Sequence, residues 1–196
     1  MESCYRHFTR ERTRGLSRDF VIRKAIIEDQ AQIERLIAQS VRGLSGNDYT
    51  ERQIKLSIKS VFRVDTDLIL DNTYFVAVAG DEIVGCGGWS KRKTLYGASV
   101  YTISRDANEL DPKADAAKIR AFFIAPHWAR KGIGTAILEA CENEAKSYGF
   151  QEAEMMATLP GVKLYGVRGY RGDERVGIDV GEGEEIDCIR MRKKLQ

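Results

Sequence analysis

The sequence is poor in metal-binding side chains. Its two histidines are His7 and His127, and its four cysteines, Cys4, Cys86, Cys141 and Cys188, stand far apart with no C-x-x-C pair. That spacing excludes the common zinc arrangements, so no metal ligands are expected. Cys86 and Cys141 lie in apolar stretches and read as small core residues. Unpaired thiols of this kind point to a reducing compartment, and a cytoplasmic location is expected. Long apolar runs are missing too. None approaches the ~20 residues of a membrane helix, so no membrane partner is expected. Nor is there a surplus of either charge. The formal net charge is +2, which gives no bulk attraction for nucleic acid or anionic surfaces. The opening stretch, MESCYRHFTRERTRGLSRDF, lacks the apolar centre of a secretory signal. Its arginines suggest a transit peptide, but Glu2, Glu11 and Asp19 oppose that reading, because transit peptides are poor in acids. Residues 1–18 are therefore read as a polar extension and residues 19–196 as one domain.

What is present is the material of a globular α/β domain. Hydrophobic residues make up 43% of the 196, enough for one core without staples. Phe20 to Arg23 reads as a short strand. Glu28 to Ala38 carries Ile33, Leu36 and Ile37 at helical spacing, and Gly43 to Asn47 reads as a turn. A second helix is expected over Tyr49 to Val61. The run TYFVAVAGDEIVGCGGWS then reads as a hairpin turning at Gly80-Asp81. Lys91 to Tyr101 is ambiguous, and Ser104 to Asp115 reads as an acidic loop. Next come a strand at Ile119 to Ile124, a helix at Ile133 to Tyr148 and a strand at Glu152 to Ala157. A short helix at Val162 to Val167 stops before Gly169. A closing hairpin pairs Val176 to Val180 with Ile186 to Met191. The order β-α-α-β-β-β-α-β-α-β-β implies an α/β fold with a mixed sheet.

The strand at Phe122-Phe123-Ile124 runs through Arg130-Lys131 into Gly132-Ile133-Gly134-Thr135 at a helix start. A helix start leaves backbone N–H groups unpaired and is positive in sign. Glycines let phosphates approach that backbone, and the two cations add charge at the entrance. The arrangement suits a diphosphate. A lone G-x-G also fits a plain tight turn beside solvated cations. The dinucleotide fingerprint would need a third glycine where Ile137 stands, and the Walker loop is absent, so nicotinamide cofactors and ATP are disfavoured.

The run FFIAPHWARKGIGTAIL resembles motif A of the GNAT N-acetyltransferase superfamily. Ile124-Ala125-Pro126 matches the strand end, and Gly132 and Gly134 match its glycines; Ala129 stands where the pattern has Gln or Arg. LPGVKLYGVRGY is similar to motif B through Leu164-Tyr165 and Gly169-Tyr170. The resemblance covers Phe20 to Leu195. It implies a three-layer α/β domain with a mixed, mostly antiparallel sheet, splayed at an acetyl-CoA cleft. Acetyl-CoA is the implied co-substrate. Phe122, Phe123 and Ile124 would pair with its pantetheine arm. Arg130, Lys131, Gly132, Ile133, Gly134 and Thr135 would hold the pyrophosphate. Tyr165 would protonate the CoA thiolate.

The implied activity is acetyl transfer to a primary amine of a small molecule or peptide; the alternative is a non-catalytic acyl-CoA sensor. A free alkylamine has a pKa near ~10.4 and must lose a proton before attack, yet no base stands out. Glu154 is the nearest candidate beside its reading as a solvated strand residue, His127 reads as a loop residue, and water is a third option. Tyr49, and Trp89 to Arg92, are candidate substrate contacts, with Trp89 reading equally as a core-rim residue. The acids Asp106, Glu109, Asp111 and Asp115 either attract a cationic substrate or form a solvated face. Edge strands near the C-terminus leave pairing of two copies into a homodimer open.

Overall fold

The computed structural model describes residues 19–93 and 109–195. The expected extension at 1–18, most of the ambiguous stretch after Lys93 and the start of the acidic loop lie outside the described residues. One seven-stranded sheet organises the chain, in the order β1-β2-β3-β4-β5-β7-β6. The strands are β1 (Val21–Lys24), β2 (Tyr74–Ala79), β3 (Glu82–Ser90), β4 (Ala117–Ile124), β5 (Glu152–Thr158), β6 (Arg171–Gly181) and β7 (Glu184–Lys194). The helices are α1 (Gln30–Leu44), α2 (Glu51–Lys59), α3 (Thr66–Leu70), α4 (Ile133–Ser147) and α5 (Leu159–Val167). Only β4 and β5 run parallel; every other neighbouring pair is antiparallel. A parallel pair needs a crossover, and α4 supplies it. Among the described residues, no helix is long and apolar enough to cross a membrane.

Local chemistry explains most boundaries. α1 buries Ile33, Leu36, Ile37 and Val41 along one stripe, the spacing of a core-facing helix. It continues through Gly43, where a turn was expected, because that glycine lets the helix approach the next layer: a Cβ there would run into the Pro126 ring. Thr50 caps α2 reciprocally. Its hydroxyl accepts from the Gln53 N–H at 3.2 Å, and the Gln53 side chain accepts from the Thr50 N–H at 2.9 Å, a capping box. α5 starts at Leu159, ahead of the expected Val162, since Pro160 fits a first helical turn. The short α3 was not expected; five residues carry too little periodicity to read.

The sheet opens between β4 and β5. Their pairing is confined to Ala117↔Ala153 and Lys118↔Glu154. Against β3, Cys86 opposes Phe123 and Gly88 opposes Arg120, so β4 carries one extra residue. That is a β-bulge, and it bends the strand. Ala121 takes φ +59° at the bend, and its carbonyl accepts from the Tyr74 hydroxyl at 3.1 Å. Beyond the bulge β4 turns away from β5, and the gap between them becomes a cleft.

Candidate functional site

The cleft passes between the two faces of the sheet. Successive strand residues point to opposite faces, and two phenylalanines of β4 mark them. The Phe122 ring meets Tyr165 of α5 edge-on at 6.1 Å, whereas the Phe123 ring meets Phe62, beyond α2, at 5.6 Å. α4 shares the α5 face, since a Cβ on Gly134 would lie 2.8 Å from Leu164 Cδ2. The cavity holds about 550 Å³, within the range of small-molecule sites.

On the α4 and α5 face, the glycine turn forms one wall. The chain leaves β4 through a single helical turn at Pro126–Trp128. Arg130 then takes φ +65° and Gly132 φ +84°, the latter as the N-cap of α4. A left-handed N-cap favours glycine, and the space beside Gly132 is open to 4 Å. The glycines have separate uses: Gly132 makes the turn, and Gly134 lets α4 and α5 close together. The Ile133 side chain is buried in the core, with Cγ2 against Gly85, so only its backbone is available to a ligand. Phe122, Phe123, Ile124, Arg130, Gly132, Gly134 and Thr135 all line the cleft. Lys131 lies to the side, its ammonium 4.4 Å from the centre of the Trp128 ring.

Tyr165 also lines the cleft. Its ring packs edge-on against Tyr170 at 6.1 Å as well as against Phe122. No described group hydrogen-bonds its hydroxyl, which leaves that proton available. Burial pushes the phenol above its ordinary value of 10.0, with a smaller contribution from Cys141. Tyr165 therefore stays protonated at neutral pH.

Other candidates sit elsewhere. Glu154 is no solvated strand residue: its side chain is 2% exposed and forms an ion pair with Lys118, with Arg190 and Arg192 at 3.1 and 2.9 Å. Burial works against its charge, but Lys118, Arg190 and Arg192 outweigh that and hold the carboxyl below its ordinary range. Such a group is a poor base, and it does not line the cleft. Trp89 is buried, and its indole N–H donates to Glu144 at 2.7 Å. Tyr49 is a structural pin: its hydroxyl donates to the Asp187 carbonyl at 2.6 Å and accepts from the Leu159 N–H at 2.9 Å. Arg92 pairs with Asp71 at 2.6 Å. His127 is 62% exposed and sits 3.9 Å from Glu82. Glu109 pairs with Lys91 at 2.6 Å, while Asp111 and Asp115 bond within their own turn. Asp106 lies outside the described residues.

Sequence reasoning missed the second wall. Ser40, Phe62, Asp65 and Arg120 line the cleft. Arg120 pairs with Asp65 at 3.0 Å, with side chains 5% and 2% exposed. The available signal was Arg120 itself, a cation interrupting the apolar run Ile119 to Ile124.

The profile of the acetyltransferase (GNAT) family matches residues 42–170. None of the curated proteins matches the chain in sequence. Among solved structures, the chain is similar to a GCN5-related N-acetyltransferase from Rhodopseudomonas palustris: TM-score 0.67, 18% identity, covering 89% of this chain and 95% of that one. It is similar to the PaiA N-acetyltransferase of Thermoplasma acidophilum in complex with coenzyme A: TM-score 0.60, 18% identity, covering 89% and 98%. YncA of Salmonella typhimurium, solved with its cofactor acetyl-CoA, gives TM-score 0.59 at 15% identity, covering 91% and 95%.

Proposed function

The chain belongs to the acetyltransferase (GNAT) family, and we propose that it moves the acetyl group of acetyl-CoA to a primary amine of a small molecule or peptide, with Tyr165 as the acid. The enzyme is an acetyl-CoA-dependent acyltransferase. The observation that carries the residue-level reading is Tyr165, which lines the cleft and whose hydroxyl is hydrogen-bonded by no described group.

The residues fit the co-substrate. The open, left-handed Gly132 and the N–H groups at the start of α4 suit a pyrophosphate. Arg130 and Lys163 line the same side and add positive charge. Beyond Lys118, β4 has left β5 and offers a strand edge to the amide-rich arm. When bound there, acetyl-CoA supplies an activated acyl group. In the reaction the amine nitrogen bonds to the acetyl carbon and the carbon–sulfur bond breaks. Tyr165 gives its phenolic proton to the departing sulfur and regains one from water. The extra proton on nitrogen leaves to water, since no carboxylate placed as a base is found among the described residues.

Tyr165→Phe tests the reading, because it keeps the ring and removes only the hydroxyl. Turnover measured as free-thiol release should fall by roughly 10²–10⁴, with an unchanged melting curve and unchanged CoA affinity. A loss below about tenfold, with product release shown not to limit the rate, would remove Tyr165 from the mechanism. Binding of acetyl-CoA without thiol release on any amine would favour the sensor reading.

A further inference from the structure

The wall opposite α4 and α5 decides what amine the cleft accepts. On that face it is formed by Leu44, Val61, Phe62, Phe123, Met156 and Ile178. The charges on this wall are paired: Arg63 with Glu34 and Arg120 with Asp65. Among the described lining residues the cations are Arg63, Arg120, Arg130 and Lys163, and the acid is Asp65. Asp65 is already engaged by Arg120 at 3.0 Å.

An ammonium brought to this wall meets a neutralised carboxylate and cations that are themselves paired, Arg63 with Glu34 and Arg120 with Asp65. For the reacting nitrogen that is useful. An apolar setting disfavours its charged form, and only the neutral amine attacks. A second or third ammonium on the same molecule gains nothing in return. It loses water and finds no unengaged carboxylate among the described lining residues. An apolar body gains by covering Leu44, Val61, Phe62 and Met156. We infer that the acceptor is a monoamine carried on an apolar scaffold, aliphatic or aromatic, and that polyamines, aminoglycosides and lysine-rich peptides are poor substrates. The inference rests on the acyl-transfer reading of the same cleft.

The test is free-thiol release from acetyl-CoA with hexylamine and phenethylamine against spermidine, kanamycin and a lysine-rich peptide. The apolar monoamines should exceed the polycations by at least about tenfold in kcat/KM. Val61→Glu places a carboxylate on a half-buried lining position. In that variant the ratio of spermidine to phenethylamine turnover should rise by about tenfold or more. Tyr165-dependent release that is as fast with spermidine as with phenethylamine overturns the inference and leaves the acyl-transfer reading standing. An unmoved ratio in a folded Val61→Glu variant removes the charge argument and overturns it too. No release with any amine overturns both readings together.

Discussion

The Ile124 backbone N–H donates to the Ser40 hydroxyl at 3.1 Å. Ser40 belongs to α1, so a helix side chain occupies one donor of the strand edge that was expected to meet the pantetheine arm. Ser57 and Ser60 turn their hydroxyls back to their own helix, to the Gln53 and Leu56 carbonyls at 2.7 and 2.9 Å. Ser40 has no such bond and lines the cleft. Its hydroxyl accepts from Ile124 and keeps a proton to donate, so it extends the strand edge by one link. A hydroxyl that accepts one hydrogen bond donates a stronger one. Ser40→Ala should therefore raise KM for acetyl-CoA about 3–10-fold, the scale of one hydrogen bond, with kcat little changed. Ser40→Thr should restore it. A lower KM in Ser40→Ala would show instead that Ser40 competes with the arm for Ile124.

Glu154 should prove structural. Glu154→Gln leaves Lys118 buried without its anion, and breaking a buried pair costs about 3–5 kcal/mol. Denaturant unfolding should show that loss, while kcat of the folded fraction stays within a few-fold of wild type. A kcat loss near 10³ without loss of stability would make Glu154 a base after all.

The same carboxylate sets an acid limit. Its folded pKa lies below its ordinary 4.5, so its stabilisation is present above that value and is lost as pH falls through the folded pKa. Asp29, held down by Arg23, and Asp71, held down by Arg92, act in the same direction. Melting temperature should be flat near neutrality and fall below about pH 4.5. In Glu154→Gln the fall should be shallower; an identical acid slope would show that Glu154 does not contribute to it.

On the alkaline side Tyr165 keeps its proton, because burial raises its pKa above 10.0. The rate should climb with pH as the amine loses its proton, with no descending limb below about pH 10. A descending limb near pH 8 that disappears in Tyr165→Phe would contradict a raised Tyr165.

The two glycines of the turn should fail differently. Gly132→Ala forces a left-handed Cβ, a local strain of about 1–2 kcal/mol, into open space. CoA affinity should drop by about tenfold with a small change in melting. Gly134→Asp should abolish CoA binding and also lower the melting temperature, because its Cβ meets Leu164 and pushes α5. Calorimetry with CoA beside a melting curve for each variant checks both. Unchanged affinity in folded Gly134→Asp would place the pyrophosphate elsewhere.

What the sequence determined by itself was local. The hairpin at Gly80, the glycine turn into α4 and the spacing of Tyr165 before Gly169-Tyr170 are written in neighbouring residues. Turn chemistry and short-range periodicity act over a few positions, so they can be read without the fold. The tertiary structure decided everything that depends on which distant elements face each other. Glu154 read as a base candidate or a solvated strand residue, because alternation along one strand carries no information about β7. Only the pairing of β5 with β7 brings Arg190 and Arg192 to it. Trp89 read equally as a substrate contact and as a core-rim residue, and Glu144 of α4, closing over its indole, decides for the core. Ser40 and Phe62 carry no motif; they share a wall only because the bulge at Ala121 parts β4 from β5. A bulge costs one residue of register, and no periodicity in AKIRAFFI announces where it falls.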